Sequence, residues 1–156
     1  MSLQVIQWAT GSVGVAAIKG VLEHPDLELV GCWVHSKAKS GKDVGEIIGA
    51  EPLGVTATDS AEEILALDAD AVIYAPLLPN PDEVAALLRS GKNVVTPVGW
   101  FYPSEKEVGP LEAAAREGGV TLHGAGIGPG AAFELFPLLL SVMSTGVTFI
   151  RGEEYS

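Results

Sequence analysis

The chain has 156 residues, of which 47% are hydrophobic and 19% charged, so it is long enough for one globular domain and too apolar for a disordered one. A formal net charge of −11 argues against general binding to nucleic acids or anionic membranes, which attract positive protein surfaces. The single cysteine excludes an internal disulfide, the N-terminus lacks a signal-peptide pattern, and no apolar run approaches the ~20 residues that cross a bilayer. We therefore expect a cytoplasmic protein whose partners include neither nucleic acid nor membrane.

The first part of the chain carries the most informative pattern. The apolar run Leu3–Trp8 predicts a first strand, and a helix with one apolar face follows the turn Ala9–Gly14. The turn reads A-x-G-x-x-G, with alanine at the first position of the usual G-x-G-x-x-G fingerprint. A strand, such a turn and a helix predict the phosphate-binding corner of a dinucleotide-binding fold, because phosphates lie against backbone N–H groups at the helix N-terminus. The alternative is a plain tight turn between a strand and a helix.

Small residues have separate tasks in this prediction. A Cβ at Gly11 would push the phosphate away, and a Cβ at Gly14 would push the helix off the strand. The residues predicted to bind cofactor here are Thr10, Gly11, Ser12, Val13 and Gly14.

The rest of the chain alternates between strand and helix patterns. Further strands are predicted at Leu27–Val34, near Val55, and at Ala71–Ala75, Asn93–Thr96, Val120–His123 and Val147–Ile150. Helix signals are Val44–Ile48, a capping box at Ser60–Glu63, Asn80 with Pro81, a second box from Ser104 to Glu107, and a helix after Gly130 that bends near Pro137. The alternation predicts an α/β fold of Rossmann type: a doubly wound, mostly parallel sheet with helices on both faces.

The loop after the second predicted strand should choose between the two nicotinamide cofactors. An acidic residue there would bind the ribose hydroxyls of NAD, but residues 29–42 contain no Asp or Glu. Three of the nine basic residues fall within residues 37–42, and such a cluster suits a 2′-phosphate. The predicted ligands are His35, Ser36, Lys37 and Lys39. We therefore predict NADP, with NAD possible; the alternative is an ordinary solvated lysine loop.

The carboxyl ends of the later strands are the other expected contact points, because ligands of open α/β sheets bind at that edge. The cofactor-binding residues predicted there are Ala75, Pro76, Thr96 and Pro97. Trp100 and Phe101 either flank a nicotinamide or substrate or form a hydrophobic plug, which we favour, and Tyr102 is a candidate proton donor. His123 lies at a strand end, where a lone histidine is more typical of a structural residue than of a site residue. A second glycine loop follows at residues 124–130, and the N-terminus of the helix after it is a second possible anion site.

The remaining reactive side chains fit no catalytic pattern. His24, His35 and His123 fall on separate elements without metal-ligand spacing. Cys32 lies within a predicted strand and is expected to be inert core. There is no G-x-S-x-G elbow and no P-loop lysine. The sequence predicts neither a catalytic residue nor a metal site.

Three segments, residues 8–14, 92–97 and 124–130, resemble the dihydrodipicolinate reductase-like superfamily in matching order. The likeness is closest to its branch of NAD(P)H-dependent amine dehydrogenases and 2,4-diaminopentanoate dehydrogenases, and it covers this chain as that family's N-terminal half. The resemblance implies cofactor binding at the first glycine turn and a following substrate and dimerisation domain. We therefore expect residues 1–146 to form the dinucleotide-binding domain and 147–156 to begin the second domain of a homodimer or higher oligomer.

The function that these observations favour is hydride transfer between a nicotinamide cofactor and a small-molecule substrate with a C=N, C=O or activated C=C group. One departure concerns the substrate, because the amine dehydrogenase branch carries an acidic residue where this chain has Val98–Trp100. Two alternatives stay open, a dinucleotide-sensing regulatory module and a CoA-binding Rossmann domain.

Overall fold

One parallel sheet organises the described part of the chain. The computed structural model describes residues 2–101 and 103–153. There, six strands form a sheet in the order β3-β2-β1-β4-β5-β6, and every neighbouring pair is parallel. The strands are β1 Leu3–Trp8, β2 Leu27–Trp33, β3 Ala57–Thr58, β4 Ala71–Tyr74, β5 Asn93–Thr96 and β6 Leu122–Gly124. This is the strand order of the Rossmann fold, so the predicted fold class is confirmed.

Helices cover both faces of the sheet. They are α1 Ser12–Glu23, α2 Val44–Ile48, α3 Ala61–Ala66, α4 Pro81–Arg89, α5 Glu105–Gly118, a π-helix Ile127–Leu135, and α6 Phe136–Ser141. Successive side chains of a strand point to opposite faces. Val5 of β1 therefore belongs to one buried cluster with Ile18 and Val21 of α1, whereas Ile6 belongs to the other with Leu87 of α4.

The ends of α4 and α5 follow the local sequence signals. The Asn80 side chain accepts a hydrogen bond from the Asp82 backbone N–H at 3.0 Å, and Pro81 is the first helical residue. At the C-terminal end of α5, Gly119 adopts a left-handed φ of 68°, which glycine permits without steric cost. These boundaries are confirmed.

Of the two predicted capping boxes, the one at α3 is only half formed. The Ser104 backbone N–H donates to the Glu107 carboxylate at 2.9 Å, as the box at α5 requires. At α3 the Ser60 hydroxyl accepts from the Glu63 N–H at 3.2 Å, but the Ser60 N–H donates to the Thr58 hydroxyl at 3.1 Å. The Thr58 side chain thus takes the place of the expected carboxylate.

The third strand lies later than predicted. It comprises Ala57–Thr58, not Val55. The Val55 carbonyl instead accepts a hydrogen bond from the Val44 N–H at 2.9 Å, at the start of α2. Val55 therefore holds a helix in place and contributes nothing to the sheet ladder.

The C-terminal part differs most from the prediction. The expected loop at residues 124–130 gives way to the π-helix at Ile127, and the helix changes from π to α geometry next to Pro137, where a bend was expected. The predicted seventh strand at residues 147–150 is wrong, because a strand needs a ladder partner and none of the described residues supplies one. Its apolar side chains are exposed, Phe149 to 77%, and no residue of α6 is buried.

None of the described helices is both long enough and apolar enough to span a membrane.

Candidate functional site

A cleft of about 980 Å³ lies where β1 and β4, which are neighbours in the sheet but not in the sequence, end side by side. This is the switch point of the strand order, where ligands of doubly wound folds bind. The cleft is lined by the glycine turn and α1 start (Ala9, Thr10, Gly11, Ser12, Val13), the end of β2 and its loop (Trp33, His35, Ser36, Lys39), and the segment after β4 (Ala75, Pro76, Leu77, Leu78, Pro79, Asn80, Pro81, Glu83), with Val98.

The turn between β1 and α1 is tightly folded around the Ala9 carbonyl. Ala9 has a φ of 74°, the left-handed conformation that the first glycine of the fingerprint usually supplies. Its carbonyl oxygen accepts a hydrogen bond from Gln7 Nε2 at 2.9 Å. A Cβ added to Gly14 would lie 2.1 Å from that oxygen. Gly14 is therefore required for close packing of α1 against the turn; it does not line the cleft.

The N-terminus of α1 is open towards the cleft. Gly11 is the N-cap residue and offers no side chain to cap the first N–H groups, and no acidic residue occupies the first turn. A Cβ placed on Gly11 would have nothing within 4 Å, so the space above the turn is free. Unpaired N–H groups and the positive end of the helix dipole favour an anion at this point. Val13, exposed to 57%, forms an apolar wall beside it.

The loop after β2 brings three of its polar side chains to the cleft. His35 and Ser36 are exposed and line it. Lys39 reaches across to the glycine turn, where its Nζ donates to the Thr10 carbonyl at 3.0 Å and to the Thr10 hydroxyl at 3.1 Å. The Lys39 ammonium group therefore joins the loop after β2 to the turn between β1 and α1.

The three lysines of this loop do not form one cluster. Lys42 pairs with Glu46 at 2.6 Å. Lys37 does not line the cleft; it lies near Asp59, whose carboxyl pKa is lowered first by a hydrogen bond from Ser40 and further by the Lys37 charge. Lys39 is the lysine of the three that lines the cleft.

The segments after β4 and β5 contribute unequally. Ala75 and Pro76 line the cleft, followed by Leu77 and Leu78, which are exposed to 92% and 75%. Thr96 and Pro97 do not line it. The Thr96 hydroxyl instead donates to the Val98 carbonyl at 3.0 Å and accepts from its N–H at the same distance.

An aromatic layer that the sequence patterns did not predict lies at the ends of three strands. The rings of Trp8 and Trp33 stack with centroids 4.4 Å apart, and Tyr74 lies 6.0 Å from Trp8 on the other side. The Tyr74 hydroxyl donates to the Glu83 carboxylate at 2.6 Å and accepts from the Asn80 N–H at 3.0 Å. Burial, and then the Glu83 carboxylate, raise the pKa of Tyr74. The signal was available, since each aromatic residue is at a strand end, but their contact depends on the strand order 2-1-4.

The second glycine turn is not equivalent to the first. The Gly130 N–H donates to the Glu134 carboxylate, one turn further along the π-helix. One donor of the expected second anion site is thus already bound by a carboxylate of the chain itself. His123, on the edge strand β6, is exposed and does not line the cleft.

Two other candidate residues, Trp100 and Cys32, pack in the protein interior. Trp100 packs against the larger buried cluster, as the plug interpretation predicts. Cys32 is fully buried, and burial raises the pKa of its thiol to about 12, so it is inert core. Tyr102 lies outside the described residues. Among residues 2–101 and 103–153, no group of His, Cys, Asp and Glu side chains is arranged to hold a metal ion.

The amino-acid sequence is similar to those of known oxidoreductases. Residues 5–99 match the family model described as dihydrodipicolinate reductase, N-terminus. An amine dehydrogenase of Streptomyces virginiae is 39% identical over 97% of this chain, which spans 45% of that protein. A 4-hydroxy-tetrahydrodipicolinate reductase of Synechocystis sp. is 38% identical over 63 residues, 40% of this chain and 23% of that enzyme. The chain therefore spans less than half the length of these relatives.

Two solved structures share the fold. The amine dehydrogenase of Mycobacterium smegmatis superposes with a TM-score of 0.80 at 23% identity, covering 90% of this chain and 44% of the other. Biliverdin reductase of Synechocystis sp., solved with biliverdin and NADP⁺, gives a TM-score of 0.68 at 20% identity, with 93% and 44% coverage.

Proposed function

Because this chain belongs to the family of dihydrodipicolinate reductase N-terminal domains, we propose that it is the nicotinamide-dinucleotide-binding part of an oxidoreductase. The observation that carries the proposal is the uncapped N-terminus of α1, which opens at Gly11 into the cleft at the switch point of the sheet. The bound cofactor would supply a hydride, or accept one, at a C=N, C=O or activated C=C carbon.

The residues of the cleft fit a dinucleotide from end to end. Backbone N–H groups at Gly11–Gly14 would hold the diphosphate, because they are uncapped and lie at the positive end of α1. His35, Ser36 and Lys39 on one side would surround the adenosine half. On the other side Ala75 and the apolar residues after it present a surface suited to the nicotinamide half. A volume of about 980 Å³ leaves room for both.

The end of the cleft that His35, Ser36 and Lys39 line supports a preference for NADPH over NADH. No acidic residue is available in residues 29–42 to accept the ribose hydroxyls. His35 and Ser36 occupy that position, and the Lys39 ammonium supplies a positive charge to the same end. Removal of Lys39 should therefore reduce the affinity for NADPH more than that for NADH.

The relatives suggest the substrate class. One is named an amine dehydrogenase and others 4-hydroxy-tetrahydrodipicolinate reductase. We infer that the substrate of the whole protein is a small molecule reduced or oxidised at a carbon–nitrogen bond, with a C=O or activated C=C bond as the alternative.

The exposed apolar residues after the π-helix support a further domain. Leu138, Leu139 and Leu140 of α6 are 56–65% exposed, and Phe149 is 77% exposed. Several large apolar side chains exposed within one short stretch of chain are typical of a surface that another domain covers. We propose that residues 1–146 form the dinucleotide-binding domain and that 147–156 begin a substrate and dimerisation domain. A monomer with a cooperative melt and no binding of an apolar dye would contradict this division.

Calorimetric titration tests the cofactor proposal. NADPH and NADH are titrated separately into the folded domain, and CoA is then added as a competitor. We expect a saturable heat with NADPH that CoA does not abolish. No heat with either dinucleotide at millimolar concentration would overturn the proposal, and complete displacement by CoA would favour a CoA-binding domain.

A further inference from the structure

A single threonine fixes the ammonium group of Lys39. The Lys39 Nζ lies 3.0 Å from the Thr10 carbonyl oxygen and 3.1 Å from the Thr10 hydroxyl, although the two residues are 29 positions apart in the sequence. Lys39 is partly buried and lines the cleft together with Thr10. The contact joins the loop that follows β2 to the turn that follows β1.

The neighbouring lysines show that this arrangement is specific to Lys39. Lys42, three positions later, is paired with the Glu46 carboxylate at 2.6 Å. Among the described residues Lys39 has no ion pair, and its partners on Thr10 are neutral oxygens. Its full charge is therefore available to a ligand.

The geometry also leaves Lys39 one donor. An ammonium group has three N–H donors, and the two Thr10 oxygens account for two of them. A free lysine side chain loses rotamer entropy when it binds an anion, whereas one that is already held has lost most of that freedom before binding. Thr10 thus prepares Lys39 for a third contact at the end of the cleft that His35 and Ser36 line.

We propose that the Thr10 hydroxyl determines selectivity for a ribose 2′-phosphate by positioning Lys39, which makes the contact. The inference rests on the proposed function, since it assumes a dinucleotide in this cleft. It assigns Thr10 a role distinct from that of the turn's backbone: the backbone N–H groups hold the diphosphate common to both cofactors, and the hydroxyl acts through Lys39 on the phosphate that only one of them carries.

The test is a double-mutant cycle read as the ratio of NADH to NADPH dissociation constants. The variants are Thr10→Val, which removes the hydroxyl at constant shape, Thr10→Ser, which keeps it, Lys39→Met, and the Thr10→Val/Lys39→Met pair. We expect Thr10→Val to lower the ratio by about threefold to tenfold, since one hydrogen bond to a charged group is lost. Thr10→Ser should retain the ratio, and Lys39→Met should lower it by about tenfold or more.

In the Lys39→Met background, Thr10→Val should have no further effect on the ratio, because the group that it positions is gone. The matched control is Lys42→Met, which removes the same charge from the same loop and should leave the ratio within about twofold, because the Lys42 ammonium faces Glu46.

The outcomes separate this inference from the proposed function. If the wild-type domain binds neither dinucleotide, the proposed function is overturned and the inference falls with it. If both dinucleotides bind but Thr10→Val leaves the ratio unchanged, or changes it equally with and without Lys39, the inference alone is overturned. A thermal melt of each variant establishes that it is folded, and should Thr10→Val not fold, Thr10→Ala removes the same hydroxyl and is read in the same way, alone and with Lys39→Met.

Discussion

Two glycine-bearing turns of this chain each lead from a strand into a helix, and they differ in what their backbone N–H groups face. After β1, the turn Ala9–Gly14 leaves the first N–H groups of α1 uncapped beside a large cleft. After β6, a short turn leads into the π-helix that begins at Ile127, and within that helix the Gly130 N–H donates to the Glu134 carboxylate. The first turn presents donors to a ligand, and in the second a donor is already satisfied internally.

Glycine spacing alone therefore does not define an anion site. Glycines allow the backbone to approach a phosphate closely, but the N–H groups must also lack a partner within the chain. No acidic residue lies in the first turn of α1, whereas Glu134 lies four residues after Gly130 in the π-helix. The presence or absence of a nearby carboxylate is thus as informative as the glycines.

The largest effect is expected at the point where the first turn is most crowded. Gly14→Val would place a Cβ 2.1 Å from the Ala9 carbonyl oxygen, and the turn would have to move. We expect a loss of about 1–3 kcal/mol in the free energy of unfolding, as for other overpacked sites, and loss of measurable dinucleotide binding. Urea denaturation and calorimetric titration measure the two effects.

Gly11→Ala is the matched control for that change, because its added Cβ has nothing within 4 Å in the protein. We expect a stability loss below about 1 kcal/mol, but at least tenfold weaker binding of both NADPH and NADH, roughly the effect of one lost charge-assisted hydrogen bond. Unchanged affinity in Gly11→Ala would mean that the phosphates lie elsewhere.

A moderate gain in stability is expected at the first position of the turn. Ala9 has a φ of 74°, which costs an alanine about 1–2 kcal/mol and a glycine almost nothing. Ala9→Gly should raise the free energy of unfolding by about 0.5–1 kcal/mol, because greater freedom of the unfolded chain offsets part of the relief. Urea denaturation is the measurement. A clear loss of stability would show that the alanine methyl group makes a packing contact that outweighs its strain.

Backbone N–H groups also hold the Asp43 carboxylate at the start of α2, and stability should depend on pH as a result. Asp43 accepts hydrogen bonds from the N–H groups of Leu53 at 2.9 Å, Gly45 at 2.7 Å and Gly54 at 2.8 Å, and the bond from Leu53 is the largest cause of its lowered pKa. Because the folded-state pKa lies below the ordinary value of 3.8, the stabilisation is complete above that value and is lost as pH falls through the folded-state pKa.

We therefore expect part of the loss of thermal stability below pH 4 to come from Asp43. The midpoint temperature of thermal unfolding should be lower in Asp43→Asn than in the wild type at pH 7. Between pH 4 and pH 2 this temperature should fall less steeply in the variant than in the wild type. Parallel curves for the two proteins would show that the carboxylate charge does not contribute.

The smallest effect should follow a change at the second turn. Glu134→Gln removes the negative charge beside Gly130, far along the chain from the cleft-lining residues. We expect the affinity for NADPH to stay within about twofold, a change below 0.5 kcal/mol. A larger change would show that the second turn contributes to the same ligand site and that the two turns are not independent.

Much of the fold was predictable because its signals are local. The apolar run of β1, the Asn80–Pro81 start of α4 and the Gly119 end of α5 each depend on a few adjacent residues. The glycine turn is of the same kind. The parallel, doubly wound arrangement also followed, since alternating strands and helices with right-handed crossovers leave few arrangements.

The rest depended on partners that are distant in the sequence. Lys39 was predicted as a cofactor ligand, but its contact with Thr10 requires β1 and β2 to be neighbours. The stacking of Trp8 on Trp33 has the same origin. The strand predicted at residues 147–150 does not form, because an apolar pattern becomes a strand only where a partner strand is present, and the described residues provide none.

The most direct test of the account is to observe the backbone amides of both turns by NMR while NADPH is added. The amide signals of Ser12, Val13 and Gly14 should shift in a saturable way, because their N–H groups lie at the open end of α1. The amide of Gly130, which donates to Glu134, should stay in place. Saturable shifts at Gly130 with unmoved signals at residues 12–14 would show that the second turn, and not the first, holds the dinucleotide.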